Sequence, residues 1–178
     1  MATAAPTKFE VSPPSVMAWV GMGLLGGALP LSVILVLWLT HQPMHGILPG
    51  IVVILLVCAL LALAMRRRGV ELHTGILEVR AAIYRIHIST AGFDLDRARI
   101  VNLGEHTELR PWLKTGGMAM PGFKAGHFRL RGGLAKAFCL LTQTDRVLWL
   151  PQRDGKSQLL LSLERPQALL DALHSAAA

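Results

Sequence analysis

Between Lys114 and Gly133 the chain reads KTGGMAMPGFKAGHFRLRGG, with seven glycines or prolines, four lysines or arginines and no acidic residue. Glycines beside lysines are the makings of a phosphate cradle, because bare backbone N–H groups can converge on an anion. A nucleotide loop of the Gly-x4-Gly-Lys-Ser/Thr type places its lysine directly after the second glycine, then a hydroxyl for magnesium, at the start of a helix. Gly117 and Gly122 have the spacing, but Phe123 follows, Lys124 comes one place late and Ala125 stands where the hydroxyl belongs. The segment also leads into a strand pattern, so nucleotide binding of this kind is excluded. A bend remains: Pro121 fixes the backbone, while Gly122 and Gly126 permit a sharp turn or bulge.

The charge around that bend is a separate matter. From Leu109 to Thr144 the chain carries Arg110, Lys114, Lys124, Arg129, Arg131 and Lys136 without one Asp or Glu. Strand alternation puts Arg129 and Arg131 on one face, and a bend at Gly126 brings Lys124 near them. Such a face contacts anionic headgroups at about 1 kcal/mol per basic residue close to a membrane, or it is an ordinary solvated surface.

Histidine is the other candidate chemistry. His41, Met44 and His45 cluster in one short polar turn and offer imidazole and thioether, an incomplete copper site. His73, His87, His106, His127 and His174 show no ligand spacing and read as surface residues. Neither a Gly-x-Ser-x-Gly elbow nor a His-Glu-x-x-His helix is present. The sequence therefore predicts no catalytic set, no cofactor and no metal site.

The elements that must position these residues begin with an uncharged run. Val11 to Met65 spans 55 residues without Asp, Glu, Lys or Arg, against the ~20 apolar residues that one bilayer crossing needs. It predicts a transmembrane hairpin over 16–65, with spans at about 16–39 and 47–65 around the turn Thr40–Gly46. A flexible segment, 1–15, precedes it. Trp19 and Trp38 mark the two ends of the first span, about 28 Å apart at ~1.5 Å per residue. Gly23 with Gly27, and Gly46 with Gly50, are small-xxx-small steps predicted to pack the helices, and Pro30 predicts a kink. If Gly23, Gly27 and Gly50 are buried within the hairpin it is a simple anchor, whereas exposed glycines favour a membrane partner.

Arg66, Arg67 and Arg68 abut the second span and the intervening turn has no Lys or Arg. Positive residues stay inside, so both termini are predicted to be cytoplasmic. Cys58, in the second span, and Cys139, in a predicted strand, have no pairing pattern and read as small apolar fillers. Beyond Arg68 the remainder carries fourteen Lys/Arg and ten Asp/Glu. The chain's +7 is thus partly a topology signal, and no nucleic-acid partner is implied.

Residues 69–178 suffice for one compact domain. Leu77, Val79 and Ala81 alternate with Glu78 and Arg80; Tyr84, Ile86 and Ile88 alternate with Arg85 and His87. Such period-two runs are half-buried strands. Gly132-Gly133, Thr144-Asp145 and Asp154-Gly155 join four further runs into a predicted antiparallel meander. Pro166 opens a final amphipathic helix whose Leu169, Leu170 and Leu173 are predicted to pack on Leu130, Phe138 and Trp149.

Gly116 to Pro151, followed by LLLSLERPQALLDAL, resembles the bacterial membrane-anchored pleckstrin-homology-like domains. The likeness rests on Pro121, Gly122, Phe123, Gly126, Phe128, Leu130, Thr144, Asp145, Ser162, Glu164 and Pro166, with Met120 in place of a threonine. It implies an α+β domain of antiparallel sheets or an open barrel capped by a C-terminal helix. With the hairpin, the expectation is a multi-pass protein of a bacterial cytoplasmic membrane. It would be a non-enzymatic tethered module recognising a protein partner, itself or anionic lipid. The alternative is an accessory subunit of a transporter or envelope enzyme, acting through its hairpin.

Overall fold

The computed structural model describes residues 7–40, 47–82, 84–133 and 135–177. Strand β1 (Thr7–Phe9) leads to helix α1 (Val16–Gly23), a π turn (Leu24–Ala28), α2 (Leu29–Leu39) and α3 (Ile47–Arg66). Val16–Val36 and Pro49–Arg66 are long and apolar enough to cross a bilayer. His41, Met44, His45 and Gly46 lie outside the described residues.

Pro30 explains how the helices meet. It has no N–H to give to the carbonyl four residues back, that of Gly26. The chain loosens into a π turn there, with the Leu29 N–H reaching back to Leu24 O. The released Gly26 carbonyl accepts the Cys58 thiol of α3 at 3.1 Å. A Cβ on Gly26 would stand 3.0 Å from that sulfur. At Gly23, Gly27 and Gly50, predicted to pack the hairpin, a Cβ would meet no described atom within 4 Å. The packing glycine is Gly26, since the π turn shifts which side of the helix faces α3, and Cys58 is a hydrogen-bond donor as well as a filler.

Helix α3 runs straight into the first of three strands, β2 (Arg68–His73), β3 (Ile76–Ala81) and β4 (Tyr84–Ser89). Strand β1 pairs antiparallel with β2, Phe9 opposite Val70 and Thr7 opposite Leu72, giving a sheet of order β1-β2-β3-β4. The helical hairpin is therefore an insertion between two neighbouring strands. Past β1, Ser12 N–H donates to Ser162 O at 3.1 Å and Glu164 N–H to Glu10 O at 3.0 Å. The segment expected to be flexible is thus, from Thr7 on, part of the domain, which is assembled from both sides of the hairpin and not from 69–178 alone. Phe9 and Val11 alternate with Lys8 and Glu10, a strand pattern too short to stand out beside the long apolar run.

The second sheet has six strands, β5 (Arg99–Val101), β6 (Pro111–Met120), β7 (Phe123–Leu130), β8 (Lys136–Leu141), β9 (Val147–Pro151) and β10 (Ser157–Ser162), in the order β5-β9-β10-β8-β7-β6. Strand β10 lies between β8 and β9, parallel to β8 and antiparallel to β9. This corrects the all-antiparallel meander. Leu159 to Leu161 are all fully buried, and a run apolar on both faces belongs in the middle of a sheet with each side covered.

Those two sides hold two cores. One joins Val70, Leu77 and Val79 of the small sheet to Phe123, Phe138, Leu148 and Leu150 of the large one, and Leu169 and Leu173 of helix α4 (Pro166–Ala177) close it. The other contains Phe128, Leu130 and Trp149 with Leu103 and Leu109 of the segment before β6. Leu130 and Trp149, predicted beneath α4, are therefore on the opposite face.

Candidate functional site: a basic cleft and a polar ladder beside the hairpin

The glycine-rich stretch forms β6, β7 and their turn. Gly117 (φ 134°) and Gly126 (φ 121°) are cross-strand partners, and a Cβ on either would collide with the other's backbone. Gly122 (φ 72°) turns the hairpin so closely onto α1 that a Cβ would strike Ser15 Oγ, while Pro121 stands 3.3 Å from the Cβ position of Gly21. Ser15 caps α1, accepting from Ala18 N–H at 3.3 Å. The loop is the joint between the strand domain and the helices.

Its basic residues are dispersed. Lys124 and Arg129 are an odd number of positions apart, so the pleat sends them to opposite faces. Lys124 is half-buried and donates to Pro111 O at 3.0 Å, and burial lowers its pKa. Arg129 pairs in register with Lys136. Arg131 lies over the exposed Trp112 ring at 5.4 Å, Arg110 Nε donates to Leu103 O, and Lys114 is exposed on β6. The expected single basic face of Lys124, Arg129 and Arg131 does not form.

A different basic surface does. A cleft of about 920 Å³ opens where α3 meets β2, walled by Lys8, Arg66, Arg67, Arg68, Arg80 and Arg85. Glu10, Glu71 and Glu164 temper it. Arg68 Nη1 is shielded from solvent and has no hydrogen-bond partner among the described residues. Burial lowers the Arg68 pKa, partly offset by the charge of Glu164.

The outer face of the small sheet continues this surface. Register sets Lys8 opposite Glu71, Glu71 opposite Glu78, and Glu78 opposite His87, a ladder across four strands. Two carboxylates directly opposite each other repel unless cations intervene. Glu78 Oε1 accepts from Arg80 Nε at 2.6 Å and faces Arg85 Nε at 3.1 Å. Glu78 Oε2 faces His87 Nε2 at 3.4 Å and His73 Nε2 at 3.8 Å. Glu71 completes the group, 3.6 Å from His73 Nε2 and 3.6 Å from Lys8 Nζ. The Arg80 hydrogen bond holds the Glu78 carboxyl below its usual range against the opposing effect of burial, and the charges of Arg80, Arg85 and His87 add to it.

No protein-family model, curated protein or solved structure matches the chain. The sequence reading missed the ladder because it sought ligands at short spacings. Glu71-x-His73, Glu78 and His87 all occupy outward positions of alternating strands; what brings them together is cross-strand register, which single strands do not reveal.

Proposed function

We propose that the protein is a non-enzymatic, membrane-tethered binding module. In this reading the helical hairpin spans a bacterial cytoplasmic membrane with both termini cytoplasmic, and the domain is held at the inner leaflet. Its two facing sheets and terminal helix support a pleckstrin-homology-like layout, from which the parallel β8–β10 pair departs. Hairpin burial supports insertion: only 6% of each apolar window is buried within the chain, whereas a helix in the core of a soluble protein is hidden from water.

The observation that carries the reading is the basic cleft. Arg66, Arg67 and Arg68 follow directly on the second apolar span, which in this reading sets them at the level of headgroup phosphates, and Arg68 Nη1 has no hydrogen-bond partner among the described residues. Guanidinium suits phosphate because its planar donors engage two oxygens at once. Tethering raises the effective concentration of such a site without new contacts. The anionic contact is thus assigned to this cleft and not to the dispersed residues Arg110–Lys136.

The test is the melting temperature of the full chain in micelles doped with phosphatidylglycerol or with phosphatidylcholine. Phosphatidylglycerol raises it, salt weakens the effect, and Arg67→Gln with Arg85→Gln removes it. Equal melting in both lipids overturns the lipid reading. A second reading, contact with another membrane protein, is favoured by the open space at Gly23, Gly27 and Gly50. Glycines whose added Cβ would meet no described atom leave room for another helix.

A further inference from the structure

We infer that the outer face of the small sheet holds a divalent transition-metal ion, of the zinc or cobalt kind, between Glu71, His73 and Glu78, with His87 beside its open position. One ligand atom from each of the three lies within 4.8 Å of the others.

The spacing is that of a coordination polyhedron more than of hydrogen bonds. His73 Nε2 stands 3.6 Å from Glu71 Oε2 and 3.8 Å from Glu78 Oε2, and His87 Nε2 stands 3.4 Å from the same Glu78 oxygen. With zinc at ~2.0–2.1 Å from its ligands, the edges of a tetrahedral site are roughly 3.3–3.4 Å. The two His73 distances exceed that edge by roughly 0.2–0.5 Å and the His87 distance meets it, all of them too long for good hydrogen bonds. A small inward movement of side chains closes them on an ion.

A second observation points the same way. The His73 side chain is 41% exposed, yet its Nε2 atom is shielded from solvent and makes no hydrogen bond among the described residues. It is set between the two carboxylates, where an ion shared by all three groups would be its partner. The surrounding cations are placed as orienting groups. Arg80 and Arg85 engage Glu78 through Oε1, leaving Oε2 to the imidazoles, while Arg80 Nη2 also donates to Glu71 Oε2 at 3.4 Å, an oxygen the ion would share; hydrogen bonds to a ligating carboxylate fix its orientation. Mixed imidazole and carboxylate donors suit zinc and cobalt over magnesium or calcium, which take oxygen alone.

The experiment uses the full chain without an affinity tag, in detergent, stripped with a chelator and titrated with Zn²⁺, and separately with Co²⁺ followed by visible absorption. One Zn²⁺ per chain is expected, with the intense visible absorption of four-coordinate Co²⁺. His73→Gln and Glu71→Gln should each weaken binding by more than ~10-fold, the lower end of what even supporting groups contribute, with metal-free melting close to that of the wild type. His87→Gln should weaken it less. The double variant His41→Ala, His45→Ala should bind as the wild type does. If the chain takes up no Zn²⁺, or if uptake survives His73→Gln and Glu71→Gln but is lost in the His41, His45 variant, the site is refuted. The ladder is then an arrangement of carboxylates balanced by Lys8, Arg80 and Arg85.

Discussion

The β6–β7 hairpin and the β2–β4 sheet are both rich in basic residues, and strand geometry treats them in opposite ways. In the hairpin, Lys124 and Arg129 are close in the chain and end on different faces, one half-buried against Pro111 O and the other paired in register with Lys136. In the small sheet, Glu71, Glu78 and His87 are spread along the chain and end in one row. Each strand turns its alternate residues outward, and antiparallel pairing stacks those positions side by side. Charge density along a sequence therefore locates a hairpin, whereas charge density across strands locates a site.

The largest effect should come from breaking the frame that holds the ladder. Deleting residues 7–12 removes β1, the Val11 bridge to Leu163 and the Lys8 end of the row. Lost burial of Val11 and of the partly buried Phe9 alone amounts to roughly 2–4 kcal/mol, a sizeable share of a typical domain's ~5–15 kcal/mol. The full chain in micelles should lose its cooperative thermal transition and become sensitive to limited proteolysis. A deletion that still melts within a few degrees of the wild type would contradict the inserted-hairpin topology.

A smaller effect sharpens the other half of the comparison. Gly126→Ala should destabilise by about 2–5 kcal/mol, combining a strained positive φ with collision against Gly117. Arg131→Gln, in the same segment, should cost under ~1 kcal/mol, since its visible partner is the exposed Trp112 ring and such cation–π contacts are weak at exposed sites. Chemical denaturation in micelles compares the two directly. Equal costs would mean that the close approach of Gly117 and Gly126 does not fix the shape of the hairpin.

Much of this frame was legible. The uncharged run from Val11 to Met65 and the alternation of Leu77, Val79 and Ala81 gave long apolar helices and a sheet face that the structure contains. The loop glycines are backbone features, as their spacing predicts, with positive φ at Gly122 and Gly126. What escaped was non-local. The placement of β10 depends on which strands share a face, although LeuLeuLeu at 159–161 already carried the mark of a central strand. The role of Gly26 depends on the carbonyl released by Pro30, one helix turn away and facing another helix. The ladder depends on register across four strands, and a shift of one residue would turn every one of its groups inward.

The smallest effect concerns a charge satisfied locally, which calibrates those satisfied across strands. Asp154 sits in the turn between β9 and β10, beside Gly155 with φ 65°. Its Oδ1 accepts from the backbone N–H of Lys156 at 2.8 Å and of Ser157 at 2.9 Å. The Ser157 N–H first, and the Lys156 N–H next, hold its carboxyl below the usual aspartate range. A folded-state pKa that is depressed stabilises the fold at pH values above the unfolded value of ~3.9, and that contribution is lost as pH falls through the folded pKa. Asp154→Asn keeps the shape and an acceptor oxygen while removing the charge. The wild type should therefore melt slightly above the variant at neutral pH, and the gap should close in strong acid, where the carboxyl is protonated and resembles the amide. A gap that is the same at pH 7 and pH 3, or a variant that is the more stable at neutral pH, would show that the turn is held by shape and not by the carboxylate's charge.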